Sequence, residues 1–294
     1  MKLLQHRAEW IAFMALRGGI RALPHPASRR MGSALGTLTW AGAPGYRRLV
    51  DRNLARAFPD WGRARRRRVG RACFRHFGAM ICDIMSFGRF GPVELCERLT
   101  LDGWEHVQAA EETPGGTLYL TAHLGNWEIA AHPVGLYRGA LHVVARPFNN
   151  PLLWKPMLAE RERLGHRVID KHGAARDVFR VLRSGGRVGM VVDQRVRPSQ
   201  GGIEVPFFGH PALTTALPAK VALRTRSLAI PTFGFPQPGG RYRVRFEAPI
   251  PPEGDPHSEE AIAALTERYL QSFEEAIRTH PEQWLWMHDR WRGP

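Results

Sequence analysis

The chain has 294 residues, 44% hydrophobic and 23% charged, which suits a folded protein of one or two domains and argues against disorder or a polytopic membrane protein. Its 42 Lys and Arg against 27 Asp and Glu give a net charge of +15, which favours acidic partners such as phosphorylated lipids, anionic bilayers or nucleic acid. Cys73, Cys82 and Cys96 lack metal-ligand spacing, so we expect neither a metal centre nor a disulfide framework.

The first part of the chain, residues 1–97, is predicted to be a helical, membrane-associating region. Apolar periodicity broken by prolines predicts helices over about 3–22, 27–40, 46–58 and 63–87. Arg17 and Arg21 interrupt the first helix, so its apolar stretch is too short to cross a bilayer and is typical of a helix in the membrane interface. Packing on the core of the protein is the alternative. We expect no cleaved signal peptide.

Residues 98–294 are predicted to form an α/β domain. Short apolar runs alternate with amphipathic stretches, a pattern that favours a mostly parallel sheet flanked by helices. A period-two strand over residues 241–247 is expected to pair at an edge of the sheet, and residues 258–279 to form a closing helix. The other strands are predicted over residues 117–122, 141–145, 167–169, 187–192 and 228–234, with helices over 127–137, 151–164, 174–183 and 215–226.

The chemistry is expected where the first of these strands ends. His123 follows the strand directly, Gly125 and Asn126 turn the chain, and Glu128 lies in the opening turn of the next helix. We predict that Glu128 folds back across the turn and accepts a hydrogen bond from one nitrogen of His123. The other nitrogen would then be free to act as a general base toward a substrate hydroxyl. Taken alone, a histidine and a glutamate at this spacing are weak support, and a structural histidine is the alternative.

The context of this pair resembles a known family. A histidine and an acidic residue five positions apart after a strand, with HLGNWE in full, resemble the glycerolipid (lysophospholipid) acyltransferase superfamily, and specifically its lipid A lauroyl/myristoyl-type branch. The resemblance covers nearly the whole chain, because further blocks match in order: NLARAFPD, HVVARPFNNP, VVDQ, VPFFGHPALTT and PEQWLWMHDRW. It implies a glycerolipid acyltransferase-like fold.

The resemblance also implies roles for other residues. His123 would be the general base and Glu128 its electrostatic support. Arg146 would contact a lipid phosphate or stabilise developing negative charge, unless it forms an ordinary surface salt bridge. Asp193, which also ends a predicted strand, would hold Arg146 or another basic residue, with a loop or helix-cap role as the alternative.

Four further residues are expected to meet the substrate. Gly125 would let the backbone approach it, and the backbone N–H groups at residues 125–127, including that of Asn126, would donate to an anion. Phe207 and Phe208 would either line an acyl-chain channel or belong to the core. A similar choice concerns Trp284, Trp286 and Trp291, which either anchor the protein in a membrane interface or pack against the sheet.

The expected reaction is transfer of a fatty acyl group from an acyl-carrier-protein thioester to a hydroxyl of a phosphorylated glycolipid, the lipid A precursor. No cofactor is needed, since the thioester supplies the driving force. The protein would lie on the cytoplasmic face of the inner membrane, against its anionic surface. One alternative is the same fold acting on a phosphoinositide mannoside, an ornithine lipid or a lysophospholipid, with acyl-CoA as donor.

A second alternative is a non-catalytic protein that binds nucleic acid or membranes through the arginine run at residues 63–71. No nucleic-acid-binding motif surrounds that run, so we expect no nucleic-acid partner. A solvated helix face is the commonest explanation of such a run, and a docking surface for a membrane or for the acidic carrier protein is the next.

Overall fold

The computed structural model describes residues 2–163 and 165–293. The helices are α1 (Lys2–Ala22), α2 (His25–Gly42), α3 (Pro44–Ala57), α4 (Arg63–Ser86), α5 (Pro92–Glu97), α6 (Trp104–Glu112), α7 (Trp127–Arg138), α8 (Pro151–Glu162), α9 (Ala174–Arg183), α10 (Leu217–Thr225) and α11 (Glu259–Thr279). The strands are β1 (Leu99–Asp102), β2 (Thr117–Thr121), β3 (Leu141–Ala145), β4 (Arg167–Asp170), β5 (Arg187–Val191), β6 (Gly202–Phe207), β7 (His210–Thr215), β8 (Leu228–Gln237) and β9 (Arg241–Phe246).

The four helices predicted before residue 90 are present as α1 to α4. Prolines open α2 and α3, where a missing backbone N–H removes no helical hydrogen bond. α2 packs so closely against α4 that a side chain at Gly32 would collide with the carbonyl oxygen of Gly78, and glycine at this position allows that approach. α4 carries Phe74 and Phe77 into the main core. The division of the chain at residue 97 stays a prediction.

The sheet confirms the α/β fold class. Its seven strands run in the order β1-β9-β8-β2-β5-β3-β4. β2, β3, β4, β5 and β8 pair in parallel, while β9 pairs antiparallel with β8 and parallel with β1. The predicted edge position of the strand over residues 241–247 is therefore wrong: β1, which the sequence did not reveal, covers it. All five residues of β2 are buried, as expected for the central strand of a parallel sheet.

A hairpin replaces the loop expected before α10. β6 and β7 pair antiparallel from Gly202 opposite Thr215 to Phe207 opposite His210. The two connecting residues, Phe208 and Gly209, have φ angles of 51° and 72°, which a two-residue hairpin turn of this hand requires.

The end of the chain folds back under the carboxyl edge of the sheet. Trp284, Trp286 and Trp291 are each at least 92% buried, since their exposed fractions are 1%, 0% and 8%. The packing alternative for these tryptophans is thus the one observed. α1 leaves apolar side chains such as Leu4 and Ile11 exposed. In the described part of the chain, none of the helices combines the length and apolar character needed to cross a bilayer.

Candidate active site

Two neighbouring strands end side by side in a histidine and an aspartate. β2 and β5 pair in parallel with Thr121 opposite Val191, and the N–H of Val192 donates to the Thr121 carbonyl over 3.0 Å. His123 and Asp193 each lie two residues past this register and so face each other at the carboxyl edge of the sheet. In open α/β sheets this edge is where ligands bind.

Asp193 accepts two hydrogen bonds from His123. One carboxylate oxygen accepts a hydrogen bond from Nδ1 of the ring over 2.7 Å, and the other accepts from the backbone N–H of His123 over 2.9 Å. Burial by itself raises the pKa of Asp193, but the charge of His123 and the hydrogen bonds from His123 and Trp284 outweigh burial, so this pKa lies below its ordinary value. Since an ionised carboxylate only accepts, Nδ1 carries the proton and Nε2 is the free nitrogen.

The free nitrogen faces a cavity. His123 lines it, and the amide nitrogen of Gln194 lies 3.3 Å from Nε2 of His123. The ring of Trp127 meets the His123 ring edge to face, with centroids 4.7 Å apart, and so limits how the imidazole can turn. His123 is thereby fixed in tautomer and orientation, with its basic nitrogen accessible.

The C-terminal segment of the chain completes the support of this pair. Nε1 of Trp284 donates to Asp193 over 2.7 Å, and the N–H of Leu285 donates to the carbonyl of His123 over 3.1 Å. Asn53 of α3 anchors the segment from below, with its amide 2.9 Å from the carbonyls of Trp286 and His288. The motif NLARAFPD therefore acts by holding the segment PEQWLWMHDRW in place.

Glu128 does not take the position predicted for it. Its two carboxylate oxygens accept hydrogen bonds from Arg161 of α8, over 2.5 Å from Nη2 and 3.1 Å from Nε. The reason is helical geometry: Trp127 points at His123, and the next residue is turned by about 100° around the helix axis. The predicted hydrogen bond between Glu128 and His123 is therefore wrong. Asp193 does hold a basic residue, as predicted, but that residue is His123 and not Arg146.

Arg161 is the functional candidate that the sequence reasoning missed. Burial lowers the pKa of Arg161, but the charge of Glu128 and the hydrogen bond to it together outweigh burial, so this pKa lies above its ordinary value. Glu128 and Arg161 both line the same cavity as His123. The sequence offered one sign of this role, an arginine without an assigned partner on the helix that follows the block HVVARPFNNP.

The turn between β2 and α7 is held by its own backbone. The N–H of Gly125 donates to the carbonyl of Gln283 over 3.0 Å, and that of Asn126 to the carbonyl of Gly234 over 2.7 Å. A side chain at position 125 would lie 2.2 Å from the Gly234 oxygen, and φ there is +61°. The Asn126 side chain caps α7 by accepting from the Ile129 N–H over 3.3 Å. The prediction that these two N–H groups bind a substrate anion is therefore wrong.

The cavity itself has a volume of about 720 Å³ and an apolar interior with a basic mouth. Ala131, Val134 and Val143 are among its apolar residues. Arg146, at the end of β3, lines the mouth together with Lys171 and Lys220, two of only four lysines in the chain. None of these three cations forms a salt bridge within residues 2–163 and 165–293.

Phe207 and Phe208 lie elsewhere, in the aromatic core under the C-terminal segment. Phe207 has no exposed surface, stacks near Trp291 with centroids 5.8 Å apart, and accepts a hydrogen bond from that tryptophan at its carbonyl. Phe208 packs edge to face on Phe58 at 5.5 Å. Neither lines the cavity of His123, so the core alternative is correct and the acyl-channel role is not.

Comparison with known proteins places these observations in a family context. A family model described as bacterial lipid A biosynthesis acyltransferase matches residues 1–293. The lipid A biosynthesis lauroyltransferase of Escherichia coli is 25% identical over 300 residues, which cover 98% of this chain and 94% of that protein. A phosphatidylinositol mannoside acyltransferase of Mycobacterium tuberculosis is 29% identical over 194 residues, 65% of this chain.

The match to the mycobacterial protein spans only 59% of that protein's length. Among solved structures, a 1-acyl-sn-glycerophosphate acyltransferase from Thermotoga maritima matches with a TM-score of 0.36 and 17% identity, covering 85% of this chain and 98% of that one.

Proposed function

Because the chain belongs to the bacterial lipid A biosynthesis acyltransferase family, we propose that it is an O-acyltransferase that uses His123 as its general base. The observation that carries this proposal is the hydrogen bond from His123 Nδ1 to the buried carboxylate of Asp193, which leaves Nε2 facing an apolar cavity. A histidine in this state removes a proton from an alcohol, and a long acyl chain has room behind it.

The proposed reaction is direct acyl transfer. Nε2 of His123 takes the proton of the acceptor hydroxyl as its oxygen attacks the carbonyl carbon of the donor thioester. Asp193 stabilises the imidazolium that forms. Collapse of the tetrahedral intermediate breaks the carbon–sulfur bond, and the imidazolium returns the proton to the leaving thiolate. Ester and thiol are the products, and the histidine is regenerated without an enzyme-bound acyl group.

The acceptor is proposed to be a phosphorylated glycolipid, the lipid A precursor. Arg146, Lys171 and Lys220 support this assignment, since three cations without carboxylate partners in the described residues suit a phosphate at the cavity mouth. We further propose an acyl-carrier-protein thioester as donor, because that carrier is acidic and this chain carries a net charge of +15. The resemblance to mycobacterial phosphatidylinositol mannoside acyltransferases favours a mannosylated phosphoinositide as the second candidate acceptor.

The membrane assignment is supported by the orientation of α1. Arg17 and Arg21 turn inward and both pair with Glu160 of α8, whereas Leu3, Leu4 and Ile11 are at least 60% exposed. A helix that turns Arg17 and Arg21 toward the protein and leaves apolar side chains and basic residues such as Arg7 exposed suits an interfacial position. We propose that α1 holds the protein on the cytoplasmic face of the inner membrane, with its exposed basic residues against anionic lipid.

Product mass spectrometry tests this proposal. Purified wild type and His123→Ala are each given acyl-carrier-protein thioesters with a lipid A precursor or a mannosylated phosphoinositide. We expect wild type to add one acyl group to the lipid A precursor and His123→Ala to add none. Acylation of only the mannosylated lipid would replace the acceptor assignment. Equal product from both proteins would contradict the role of His123.

A further inference from the structure

Two histidines form an unexplained polar patch in the apolar interior of the cavity. His132 lies on α7 and His166 directly before β4, and their rings lie nearly parallel with centroids 5.9 Å apart. Their exposed fractions are only 8% and 3%. Nδ1 of His132 and both ring nitrogens of His166 have no hydrogen-bond partner within residues 2–163 and 165–293. Both side chains line the cavity of His123.

Both rings are neutral at the pH of the cytoplasm. Burial lowers the pKa of His132 to about 3 and that of His166 to about 4. A neutral imidazole offers one N–H donor and one acceptor nitrogen. The pair therefore suits a group that both donates and accepts, which a hydroxyl does and a phosphate or carboxylate does not.

The surroundings make these nitrogens costly unless something binds them. Ala130, Ala131 and Val134 of α7 and Leu141 of β3 line the same cavity. The charged side chains that act on His166, Glu128 and Arg161, are already hydrogen-bonded to each other. A buried polar group without a partner destabilises a fold. A metal ion is not the expected partner, because the described residues contain no group of three or more metal-ligating side chains.

We propose that His132 and His166 bind a hydroxyl group on the acyl chain of the donor, so that this protein prefers a hydroxylated acyl group to an unsubstituted one. The proposal rests on the acyltransferase function proposed above. The acceptor is not the source of this hydroxyl, since its phosphate belongs at the basic mouth with Arg146 and Lys220, whereas the apolar interior suits the chain of the donor. A site that hydrogen-bonds a hydroxyl discriminates strongly against the analogue that lacks it.

A competition experiment measures this preference. Wild type receives an equal mixture of two acyl-carrier-protein thioesters of the same chain length, one with a hydroxyl and one without, and the products are counted by mass spectrometry. The mixture is repeated with the hydroxyl next to the carbonyl, one carbon further, and in mid-chain. We expect at least about a tenfold preference for one hydroxylated donor. Equal use, or preference for the unsubstituted chain at all positions, would overturn the proposal.

Variants connect the preference to the two histidines. His132→Phe and His166→Phe should each bring the product ratio near one, because the hydroxyl then meets an apolar wall. His142→Phe is the matched control: His142 lies on β3 outside the cavity lining, and its variant should keep the wild-type ratio. A ratio that survives both cavity variants would contradict the assignment to this pair. Because the ratio is internal to one mixture, partial loss of activity does not obscure it.

Binding of free fatty acids separates this inference from the proposed function. Isothermal titration of wild type with matched hydroxylated and unsubstituted fatty acids needs no acceptor. Tighter binding of the hydroxylated acid, abolished in His132→Phe, would support the pair as a hydroxyl site even if no transfer were found. Equal binding together with active transfer would overturn this inference alone and leave the acyltransferase function standing.

Discussion

The two sides of His123 are built in opposite ways. On one side Asp193 is buried and hydrogen-bonded to His123 and to Trp284 of the C-terminal segment. On the other side lies a cavity of about 720 Å³, lined by the ion pair of Glu128 with Arg161, by the cations Arg146, Lys171 and Lys220, and by buried side chains such as His132 and His166. Ring nitrogens of these two histidines have no hydrogen-bond partner in the described residues.

This difference separates two tasks. The saturated side fixes the tautomer and direction of the base and leaves it little freedom, because each acceptor already has a donor. The cavity side leaves room and unpaired donors for a second molecule. A catalytic base needs the first property and a binding site needs the second. Substitutions on the two sides should therefore fail in different ways.

The largest effect is expected from Asp193→Asn. The amide keeps the size but loses the charge, and it favours the wrong tautomer of His123. We expect kcat to fall by about ten-thousandfold, the scale of such losses in other histidine–aspartate pairs. Asp177→Asn, an exposed aspartate on α9, is the control and should retain the wild-type kcat. A loss of less than about tenfold in Asp193→Asn would mean that this hydrogen bond is not part of the mechanism.

Glu128→Gln tests the cavity side. It leaves the Arg161 guanidinium, whose side chain is 17% exposed, without its charged partner. We expect the free energy of unfolding to fall by about 2 kcal/mol, because the charge of Arg161 stays largely buried and has lost its partner. kcat/KM should also fall, because Glu128 and Arg161 line the cavity of His123. Glu162→Gln, on the exposed face of α8, should change neither quantity. An unchanged denaturation midpoint in Glu128→Gln would contradict the structural role of the pair.

Trp284→Phe removes one donor from Asp193 and keeps an aromatic ring. We expect kcat to fall by roughly tenfold, because a hydrogen bond from a neutral donor to a charged group contributes about 1.5–3 kcal/mol to the stability of that charge. The pKa of Asp193 is held low partly by this bond, so without it the pKa rises toward its ordinary value. Activity needs the ionised form of Asp193, so the acid limb of the pH–activity profile should move to higher pH. Phe235→Leu, which shortens another buried aromatic side chain but touches no donor to Asp193, should leave the acid limb of the activity where it is.

The last expected effect appears only below neutral pH and concerns acid stability. The folded pKa of His132 is about 3 against an ordinary value of 6.5, so the unfolded chain takes up a proton first as the pH falls. Stability from neutral His132 is complete above pH 6.5 and is lost progressively down to about pH 3. His132→Phe should reduce the slope of unfolding free energy against pH by about 1.4 kcal/mol per pH unit in this window. An unchanged slope in urea titrations would show that the histidine is not buried neutral.

Local signals in the sequence predicted most of the fold. The prolines before α2 and α3 and the apolar run of β2 set element boundaries by steric and hydrophobic rules that act over a few residues. The hairpin of β6 and β7 escaped prediction because its turn places Phe208 at positive φ, a conformation that a phenylalanine in the sequence does not indicate. β1 escaped prediction because its four residues, three half-buried and one exposed, carry little hydrophobic pattern.

The sequence predicted where the site lies but only partly which of its side chains are hydrogen-bonded to each other. His123 and Asp193 were found because each ends an apolar strand, yet their pairing needed the strand order, which depends on contacts between distant parts of the chain. Glu128 was misplaced because sequence spacing does not fix which side of α7 faces His123. The Arg161 partner lies 33 residues from Glu128 along the chain, beyond any local rule.

The most direct test of the account is the hydrogen-bonded proton on Nδ1 of His123. Nitrogen-15 labelling of the histidines, with His123→Ala to assign the resonance, follows this proton by NMR in detergent. We predict a strongly downfield signal in wild type that persists in Glu128→Gln and vanishes in Asp193→Asn. Loss of the signal in Glu128→Gln with retention in Asp193→Asn would contradict the pairing of His123 with Asp193 and restore the glutamate as its partner.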